Sequence, residues 1–206
     1  MVLDIVVAYY NNKNYMKLFD IFDSISYNYK AIVYNKSASE IKASNKITVQ
    51  PLANIGREGE TYLTHIITNY DKLADYTLFI QDDTNNHISK YSKFIDFCTR
   101  TINSNVQFKL YPCTWKEKEV VVLRTIENGI CDLHTFPSQD AIKVACEYNT
   151  IHLPEKYTTE TCAFFICHKN SILRHPKEFY INLREWLLMD DKNGFVLEHM
   201  WKLIFT

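Results

Sequence analysis

The sequence predicts an α/β protein with a Rossmann-type central sheet, mixed but mostly parallel, and helices on both faces. Apolar runs rich in Val, Ile and Leu alternate along the chain with segments whose apolar residues recur at helical spacing. The first run, residues 3–9, is almost entirely apolar, which is typical of a strand buried on both faces of a parallel sheet. Strands and helices that alternate in this way favour an open sheet built from strand–helix–strand units.

Composition and charge favour one soluble domain over residues 1–206. The chain contains only four Gly and five Pro, and no Gly/Ser-rich or Pro-rich stretch predicts a linker. Lys and Arg (23) balance Asp and Glu (24) without long runs of one sign, so we expect no nucleic-acid partner. No window reaches the roughly 18 apolar residues of a membrane segment. We therefore expect an intracellular, cytoplasmic protein, and the six cysteines, which form no CxxC pair, should be reduced thiols.

In the N-terminal half, a helix over about 15–26 follows the first strand. Short runs of branched and aromatic residues predict three further strands, at 31–34, 47–50 and 76–80. Between the last two of these strands, apolar side chains recur at helical period over residues 62–70. The strand at 76–80 runs directly into a strongly polar segment.

The C-terminal half continues the alternation. The strands are predicted at 120–123 and 162–167, and the helices at 91–102, 138–147, 178–189 and 195–205. Ser138 is the expected N-cap of its helix, because a serine hydroxyl can accept a hydrogen bond from a first-turn amide. Asn193 and Gly194 are expected to separate the last two helices.

Three segments with unusual polar or aromatic content lie where the predicted sheet would bind a ligand. Residues 9–11 follow the first strand, 54–58 precede the helix at 62–70, and 81–87 follow the strand at 76–80. Open α/β sheets bind ligands at the carboxyl ends of their strands. The three segments should therefore converge on one site.

Asp82 and Asp83 are adjacent carboxylates at the mouth of a buried strand. They repel each other, and a cation or a dense hydrogen-bond network is needed to offset the repulsion. Oxygen ligands of this kind suit Mn²⁺ or Mg²⁺, which would tie a diphosphate to the protein. Asp83 is the preferred direct ligand. Neighbouring side chains of an extended segment point to opposite sides, so Asp82 should instead meet a ribose hydroxyl. The alternative is an Asp-Asp turn that caps the next helix.

The segment at 54–58 combines Asn54 and Arg57 with the amides of a helix start, and it could hold a phosphate or a sugar hydroxyl. The alternative is an ordinary loop with a surface ion pair between Arg57 and Glu58. Tyr9 and Tyr10 could stack on a uracil ring. With 14 tyrosines in the chain, however, a Tyr-Tyr pair can also arise by chance.

Glu198 and His199 lie in the closing helix, whose apolar stripe packs inward, so one of the two can turn toward the site. Glu198 is a candidate catalytic group and His199 a candidate second metal ligand. The seven histidines form no HxxxH or HExxH pattern, which argues against a preformed zinc site.

These motifs resemble a group of short GT-A-like domains found in fungi and large algal viruses. The resemblance rests on three runs and on their order along the chain: NIGREGETYLTHIITNYD at residues 54–71, LADYTLFIQDD at 73–83 and EHMW at 198–201. It covers most of the chain and is closest to the small glycosyltransferase domain encoded by chloroviruses.

The resemblance implies a GT-A fold, a UDP-sugar donor and Mn²⁺ (or Mg²⁺) held by a DxD-type motif. In this chain the motif is Gln81, Asp82 and Asp83, so an amide replaces the leading carboxylate and Asp83 remains for the metal. By the same resemblance, Ala8 together with Tyr9 and Tyr10 would hold the nucleoside.

The resemblance also implies that Arg57 binds the phosphate or the donor sugar. The expected reaction moves a hexose or deoxyhexose, such as glucose or rhamnose, to a glycan or glycoprotein acceptor. If the protein is viral, this would take place in the host cytoplasm during synthesis of capsid glycans.

An inverting enzyme would also need a carboxylate base, for which the candidates are Glu160, Asp190, Asp191 and Glu198. Glu198 is preferred because it falls in a matched motif, and the residues leave inversion and retention both open.

Two other functions are compatible with the residues. A metal-dependent phosphoester hydrolase would use Asp82, Asp83 and one or two histidines to bind metal and activate water, but it normally needs a denser acidic cluster. A non-catalytic module that binds a nucleotide or a glycan is the second alternative. The short chain, which leaves little room for an acceptor subdomain, is consistent with it.

Overall fold

Nine strands are present in the computed structural model, which describes residues 3–24, 28–112, 123–131, 138, 140–160 and 163–206. In chain order they are β1 (Leu3–Tyr9), β2 (Tyr29–Asn35), β3 (Ile47–Pro51), β4 (Tyr76–Gln81), β5 (Phe108–Leu110), β6 (Leu123–Glu127), β7 (Ile130–Cys131), β8 (Lys156–Glu160) and β9 (Phe165–His168). Six of them form the main sheet, in the order β3-β2-β1-β4-β9-β5. Strands β7, β6 and β8 form a separate antiparallel sheet.

The first four strands of the main sheet are parallel, and β9 is antiparallel to both of its neighbours. The chain proceeds from β1 outward to β2 and β3, then crosses to the other side of β1 to form β4. Strand order therefore reverses between β1 and β4. At such a reversal the connecting segments diverge and leave a crevice outside the carboxyl ends of the strands. Ala8 and Gln81 face each other at this point of the sheet.

Helices cover both faces of the main sheet. In chain order they are α1 (Met16–Ser24), α2 (Arg57–Asn69), α3 (Tyr91–Asn103), α4 (Ala141–Tyr148), α5 (Lys169–Ile172), α6 (Lys177–Met189) and α7 (Asn193–Phe205). On β2, the Tyr29 ring packs against Phe19 of α1, whereas the Tyr34 ring packs against His65 of α2. Tyr29 and Tyr34 point to opposite faces of the strand because their positions differ by an odd number.

Aromatic side chains join α7 and α2 to the middle of the sheet. The Trp201 ring of α7 lies with its centroid 5.1 Å from Phe165 of β9 and 6.1 Å from Tyr62 of α2. Tyr62 in turn packs 5.0 Å from Phe79 of β4, and its hydroxyl donates to the Ala163 carbonyl. This cluster packs α2 against β4 and α7 against β9, next to the candidate site at the carboxyl end of β4.

The α/β class and the mostly parallel central sheet are confirmed. Strands β1 to β4 match the predicted ranges to within two residues, and the apolar stripe at 62–70 belongs to α2. Near the first helix, a short 3-10 turn at Lys13–Tyr15 precedes α1, and residues 25–26 of the predicted helix lie outside the described residues. The strand predicted at 120–123 is described only from Leu123, where β6 begins.

Two boundary predictions are wrong. Helix α4 begins at Ala141 with Asp140 at the N-cap position, and the backbone carbonyl of Ser138 accepts from the Ala141 amide. Asn193 and Gly194 were expected to lie between the last two helices, but they form the start of α7. Gly194 lets the Arg57 side chain pack against this first turn, since a Cβ at position 194 would lie 2.7 Å from Cδ of Arg57.

The second sheet and β5 were not predicted. Strand β8 consists of Lys156, Tyr157, two threonines and Glu160, and only one of its five side chains is buried. A short, half-polar strand of this kind carries no clear alternation of apolar residues, so its pairing depends on its neighbours in space. Cys98, Cys146 and Cys167 are buried free thiols, as expected, and Cys131 is buried as well. None of the described helices is long and apolar enough to cross a membrane.

Truncating Trp201 should destabilise the fold strongly. The side chain is fully buried, and Trp201→Ala would leave a cavity between α7, α2 and the sheet. We expect a loss of about 3–5 kcal/mol in the free energy of unfolding, measured by urea denaturation. Tyr148→Ala, at an aromatic that is 55% exposed, is the control and should change it by less than about 0.5 kcal/mol. Equal losses in the two variants would contradict this description of the core.

Candidate functional site

A cleft of about 320 Å³ opens at the carboxyl ends of β1, β2 and β4, where the strand order reverses. Its lining comes from the end of β1, the residue after β2, the start of α2 and the end of β4. The lining residues are Ala8, Tyr9, Tyr10, Lys36, Asn54, Arg57, Glu58, Gln81 and Asp82. All seven residues predicted to bind the donor are among them. Lys36 and Glu58 are the two additions.

The Asp82 carboxylate anchors the loop between β1 and α1. Its Oδ2 atom accepts hydrogen bonds from the backbone amides of Tyr10 (2.9 Å), Asn11 (2.9 Å) and Asn12 (2.7 Å). The Asp82 amide donates to the Ala8 carbonyl at 3.1 Å, so β1 and β4 remain joined beyond their last paired residues. Asp82 is buried, and this oxygen is committed to the loop. The predicted contact to a ribose hydroxyl stays a prediction and would use the other oxygen, Oδ1.

Asp83 and Asp82 both turn toward Asn12. Asp83 Oδ1 accepts from Nδ2 of Asn12 at 3.0 Å, and Oδ2 accepts from Nδ2 of Asn86 at 2.6 Å. Asp82 binds the backbone amide of Asn12 and Asp83 binds its side-chain amide, and the chain turns at Asp83 (φ −80°, ψ 60°). In the described part of the chain, the Asp83 side chain makes no cap hydrogen bond to the following 3-10 turn, so the capping alternative is not supported. Amide donors offset the repulsion between the two carboxylates.

The residues at the cleft fit a divalent cation only if the ligand brings further oxygens. Among the residues that the structure describes, no group of three or more His, Cys, Asp or Glu side chains is placed to hold a metal. Asp83 is half-buried, and a carboxylate that accepts two hydrogen bonds keeps lone pairs for a cation. Mg²⁺ and similar ions are commonly held by one or two carboxylates together with phosphate oxygens and water. Asp83 fits this minimal set.

The start of α2 has an unusual backbone. Gly56 and Arg57 both have positive φ angles, 60° and 53°, and the left-handed conformation costs a residue other than glycine about 1–2 kcal/mol. The buried Lys36 ammonium compensates by donating to the carbonyls on both sides, those of Ile55 (2.7 Å) and Arg57 (2.5 Å). This bracket holds Arg57 at the edge of the cleft.

Lys36 is itself held by a buried ion network. Its ammonium lies 3.3 Å from Oε2 of Glu60, and Oε1 of Glu60 accepts from Arg184 of α6 at 2.8 Å and from Thr64 at 2.8 Å. Burial lowers the pKa of Lys36, and the neighbouring Glu60 carboxylate opposes that shift. The network joins the end of β2, the first turn of α2 and α6 around the cleft.

Arg57 lies between two carboxyl groups. Its Nε is 3.7 Å from Oε2 of Glu58, and its Nη2 is 3.6 Å from Oε1 of Glu198 on α7. The guanidinium carbon lies 4.0 Å from the centroid of the Phe195 ring, so the group makes a cation–π contact with that ring. Burial raises the pKa of Glu198 well above its ordinary value, with further contributions from the charge of Glu58 and from a hydrogen bond between the two carboxyl groups, while Arg57 opposes the shift.

Several predicted residues are not brought to the cleft. His199 is buried, and its Nδ1 hydrogen-bonds to the Phe195 carbonyl of its own helix at 2.8 Å. Successive helical residues are about 100° apart, so Glu198 and His199 cannot both face the same side. Asp190 accepts from the Lys192 amide at the end of α6 and lines a different cavity, and Asp191 is exposed in the following turn. Glu160 also lines a separate cavity.

Sequence reasoning missed Lys36, Glu58 and Asn12 as parts of the site, whereas His87 ends the segment at 81–87 that the sequence singled out. Glu58 lies in the segment at 54–58 that the sequence singled out, so a role for it could have been proposed. His87 follows Asp83 closely; burial lowers its pKa, and the carboxylates of Asp83 and Glu58 oppose the shift. No sequence motif marks Lys36 or Asn12, because the groups that they bind come from distant segments of the chain.

The profile of the family described as "Protein of unknown function (DUF3431)" matches residues 5–206. The chain therefore belongs to this family. No curated protein matches it.

Removing the Asp82 carboxylate should disrupt the loop between β1 and α1. Asp82→Ala leaves the amides of residues 10–12 without their acceptor, and we expect a loss of about 2–3 kcal/mol in unfolding free energy. Asp82→Asn keeps a carbonyl oxygen and should lose about half as much. Urea denaturation measures the losses, and NMR shifts of the three amides report on the loop. Unchanged shifts in Asp82→Ala would contradict the assigned anchor.

The Glu198 carboxyl should make stability depend on pH. The folded protein binds this proton more tightly than the unfolded chain, so the stabilisation is complete below the ordinary pKa of 4.5 and is lost as pH rises through the raised folded value. Glu198→Gln avoids that loss. Its Tm should therefore exceed the wild-type Tm at pH 8, and the difference should shrink toward pH 4. Glu185→Gln, at an exposed carboxylate of α6, is the control. A difference that does not change with pH would refute the raised pKa.

Proposed function

We propose that this protein is a metal-dependent glycosyltransferase that moves a hexose or deoxyhexose from a UDP-sugar to a glycan acceptor. The observation that carries the proposal is the convergence of three separate segments on one cleft at the point where strand order reverses. All seven residues expected to contact the donor line that cleft, and Asp83 adjoins it through Asn12. The GT-A assignment and the resemblance to chlorovirus glycosyltransferase domains belong to the same proposal.

The nucleoside would bind at the end of β1. Tyr10 is 58% exposed at the mouth of the cleft and offers a ring face to a uracil base. Tyr9 is fully buried, with its ring packed against Tyr15, so it supports the cleft from beneath rather than stacking on the base. Gln81 and Ala8 form the floor between the two strands.

The diphosphate would lie between Asp83 and the start of α2. The first-turn amides of α2 carry the partial positive charge of a helix N-terminus, and Arg57 adds a full charge on a side chain that is 42% exposed. Asp83 would hold Mn²⁺ (or Mg²⁺), which supplies charge neutralisation for the phosphate oxygens of the leaving group. Arg57 would donate hydrogen bonds to the same oxygens as negative charge grows on them. Asn12 and Asn86 keep the Asp83 carboxylate oriented.

Each alternative function predicts a different result. A phosphoester hydrolase normally clusters several metal ligands, and among the described residues no such cluster favours it. A non-catalytic module would bind UDP with metal but would release no UDP from any UDP-sugar. The carboxyl groups of Glu58 and Glu198 beside the cleft favour the transferase, since a binding module has no need of a buried carboxyl pair.

Calorimetric titration of UDP, GDP and CMP, with and without Mn²⁺, tests the proposal. We expect micromolar binding of UDP that requires Mn²⁺. Binding of GDP and CMP should be at least about tenfold weaker, because guanine is larger than uracil and CMP carries only one phosphate. Asp83→Ala should abolish the dependence on Mn²⁺, because it removes the only carboxylate assigned to the ion.

Asp71→Ala is the matched control for the Asp83 variant. Asp71 is an exposed carboxylate just beyond the far end of α2, about 20 Å along the helix from the cleft. It should bind UDP and Mn²⁺ as the wild type does. Absence of metal-dependent UDP binding in the wild type would refute the proposal, and equal binding by wild type and Asp83→Ala would remove Asp83 from the metal site.

A further inference from the structure

The carboxyl groups of Glu58 and Glu198 form a pair at the wall of the cleft. Glu58 comes from the first turn of α2 and is only 8% exposed, and Glu198 comes from the second turn of α7. Both carboxyl groups contact the same Arg57 guanidinium and so lie close together, and burial together with the neighbouring Glu58 carboxyl raises the pKa of Glu198. Of the two, Glu58 is the one that lines the cleft, and Glu198 is joined to it through Arg57.

Arg57 and the packing of α7 hold this pair in place. The guanidinium group lies within 3.7 Å of Glu58 and 3.6 Å of Glu198, and it is stacked on the Phe195 ring. The close approach of α2 to α7 depends on Gly59, where a Cβ would lie 2.9 Å from Cδ2 of Leu197. A single positive charge beside two carboxyl groups favours the state in which one is ionised and the other is protonated.

We propose that Glu58 is the catalytic base of the transferase and that Glu198 is a positioning residue, which stays protonated and donates a hydrogen bond to Glu58. This inference rests on the proposed function and changes one of its expectations, since the sequence favoured Glu198 as the base. Glu58 is preferred because it is the member of the pair that an acceptor hydroxyl in the cleft can reach.

The step is a single displacement at the anomeric carbon of the donor. The acceptor oxygen forms a bond to that carbon while its proton passes to the ionised carboxylate of Glu58. The bond between the anomeric carbon and the phosphate oxygen breaks, and its electron pair leaves with UDP. Glu58 gains one proton and the departing UDP carries one additional negative charge, so charge and atoms balance. A single displacement of this kind inverts the configuration at the anomeric carbon.

Isosteric variants distinguish the two carboxyl groups. Glu58→Gln removes the base and should lower kcat for UDP release at least about 100-fold, with donor KM and UDP affinity nearly unchanged. Glu198→Gln keeps a hydrogen-bond donor toward Glu58 and should retain most of the wild-type kcat, whereas Glu198→Leu loses that donor and should fall well below it. Glu185→Gln controls for the loss of an exposed carboxylate.

The measurement is UDP release from UDP-glucose and UDP-rhamnose in the presence of Mn²⁺, with water in place of the acceptor. Loss of kcat in Glu58→Gln together with its retention in Glu198→Gln supports the assignment. The reverse pattern, or equal retention in both, overturns it. If the wild type releases no UDP although it binds UDP and Mn²⁺, the transferase proposal fails and the base assignment fails with it.

Infrared difference spectra of the ligand-free protein at pH 7 test the shared proton separately. The wild type should show a protonated carboxyl band that is absent from Glu198→Gln and present in Glu185→Gln. Identical spectra for the wild type and Glu198→Gln would overturn the proton-sharing pair, whatever the titration of UDP shows. Failure of this pair and failure of nucleotide binding are thus observed in different experiments.

Discussion

The candidate site depends on three hydrogen bonds, which one carboxylate oxygen of Asp82 accepts from three backbone amides. It joins the end of β4 to the loop that leaves β1, at the point where the strand order of the sheet reverses. The loop then carries Tyr10 to the mouth of the cleft and Asn12 to the Asp83 carboxylate. Without this anchor the two strands would still pair, but the groups beyond their ends would have no fixed arrangement. Asp82 is thus a structural residue in a segment that the sequence marks as functional.

A second constraint acts from the opposite side of the cleft. Lys36 brackets the left-handed residues at the start of α2, and its buried partner Glu60 connects that turn to α6. A buried ion network of this kind is weak support for stability as such, since both charges had to leave water. Its clear effect is geometric: it holds Arg57 in a conformation that an unsupported loop would avoid, within reach of Glu58 and Glu198. The site therefore combines one rigid loop with one strained helix start.

Much of the fold was predictable because strands β1, β2 and β4 of the main sheet are rich in buried apolar residues and the helices carry apolar stripes. Polar segments that follow such strands identified the donor-facing residues, since parallel strands end at one edge. What could not be predicted depends on pairs that are distant in sequence. Lys36 is buried beside Glu60, and the pKa of Glu198 is raised by burial and by the neighbouring Glu58. The polar strand β8 depends on pairing with β6, and the choice between Glu198 and His199 depends on the rotation of α7 against α2.

The central claim is that this cleft binds a uridine diphosphate through a metal at Asp83. Anomalous diffraction from crystals grown with UDP and Mn²⁺ tests it most directly, because the ion is located independently of the nucleotide. The account predicts one manganese peak in direct contact with an Asp83 oxygen and with the diphosphate, and a uracil ring against Tyr10. A manganese peak away from Asp83, or UDP bound outside the cleft, would contradict it.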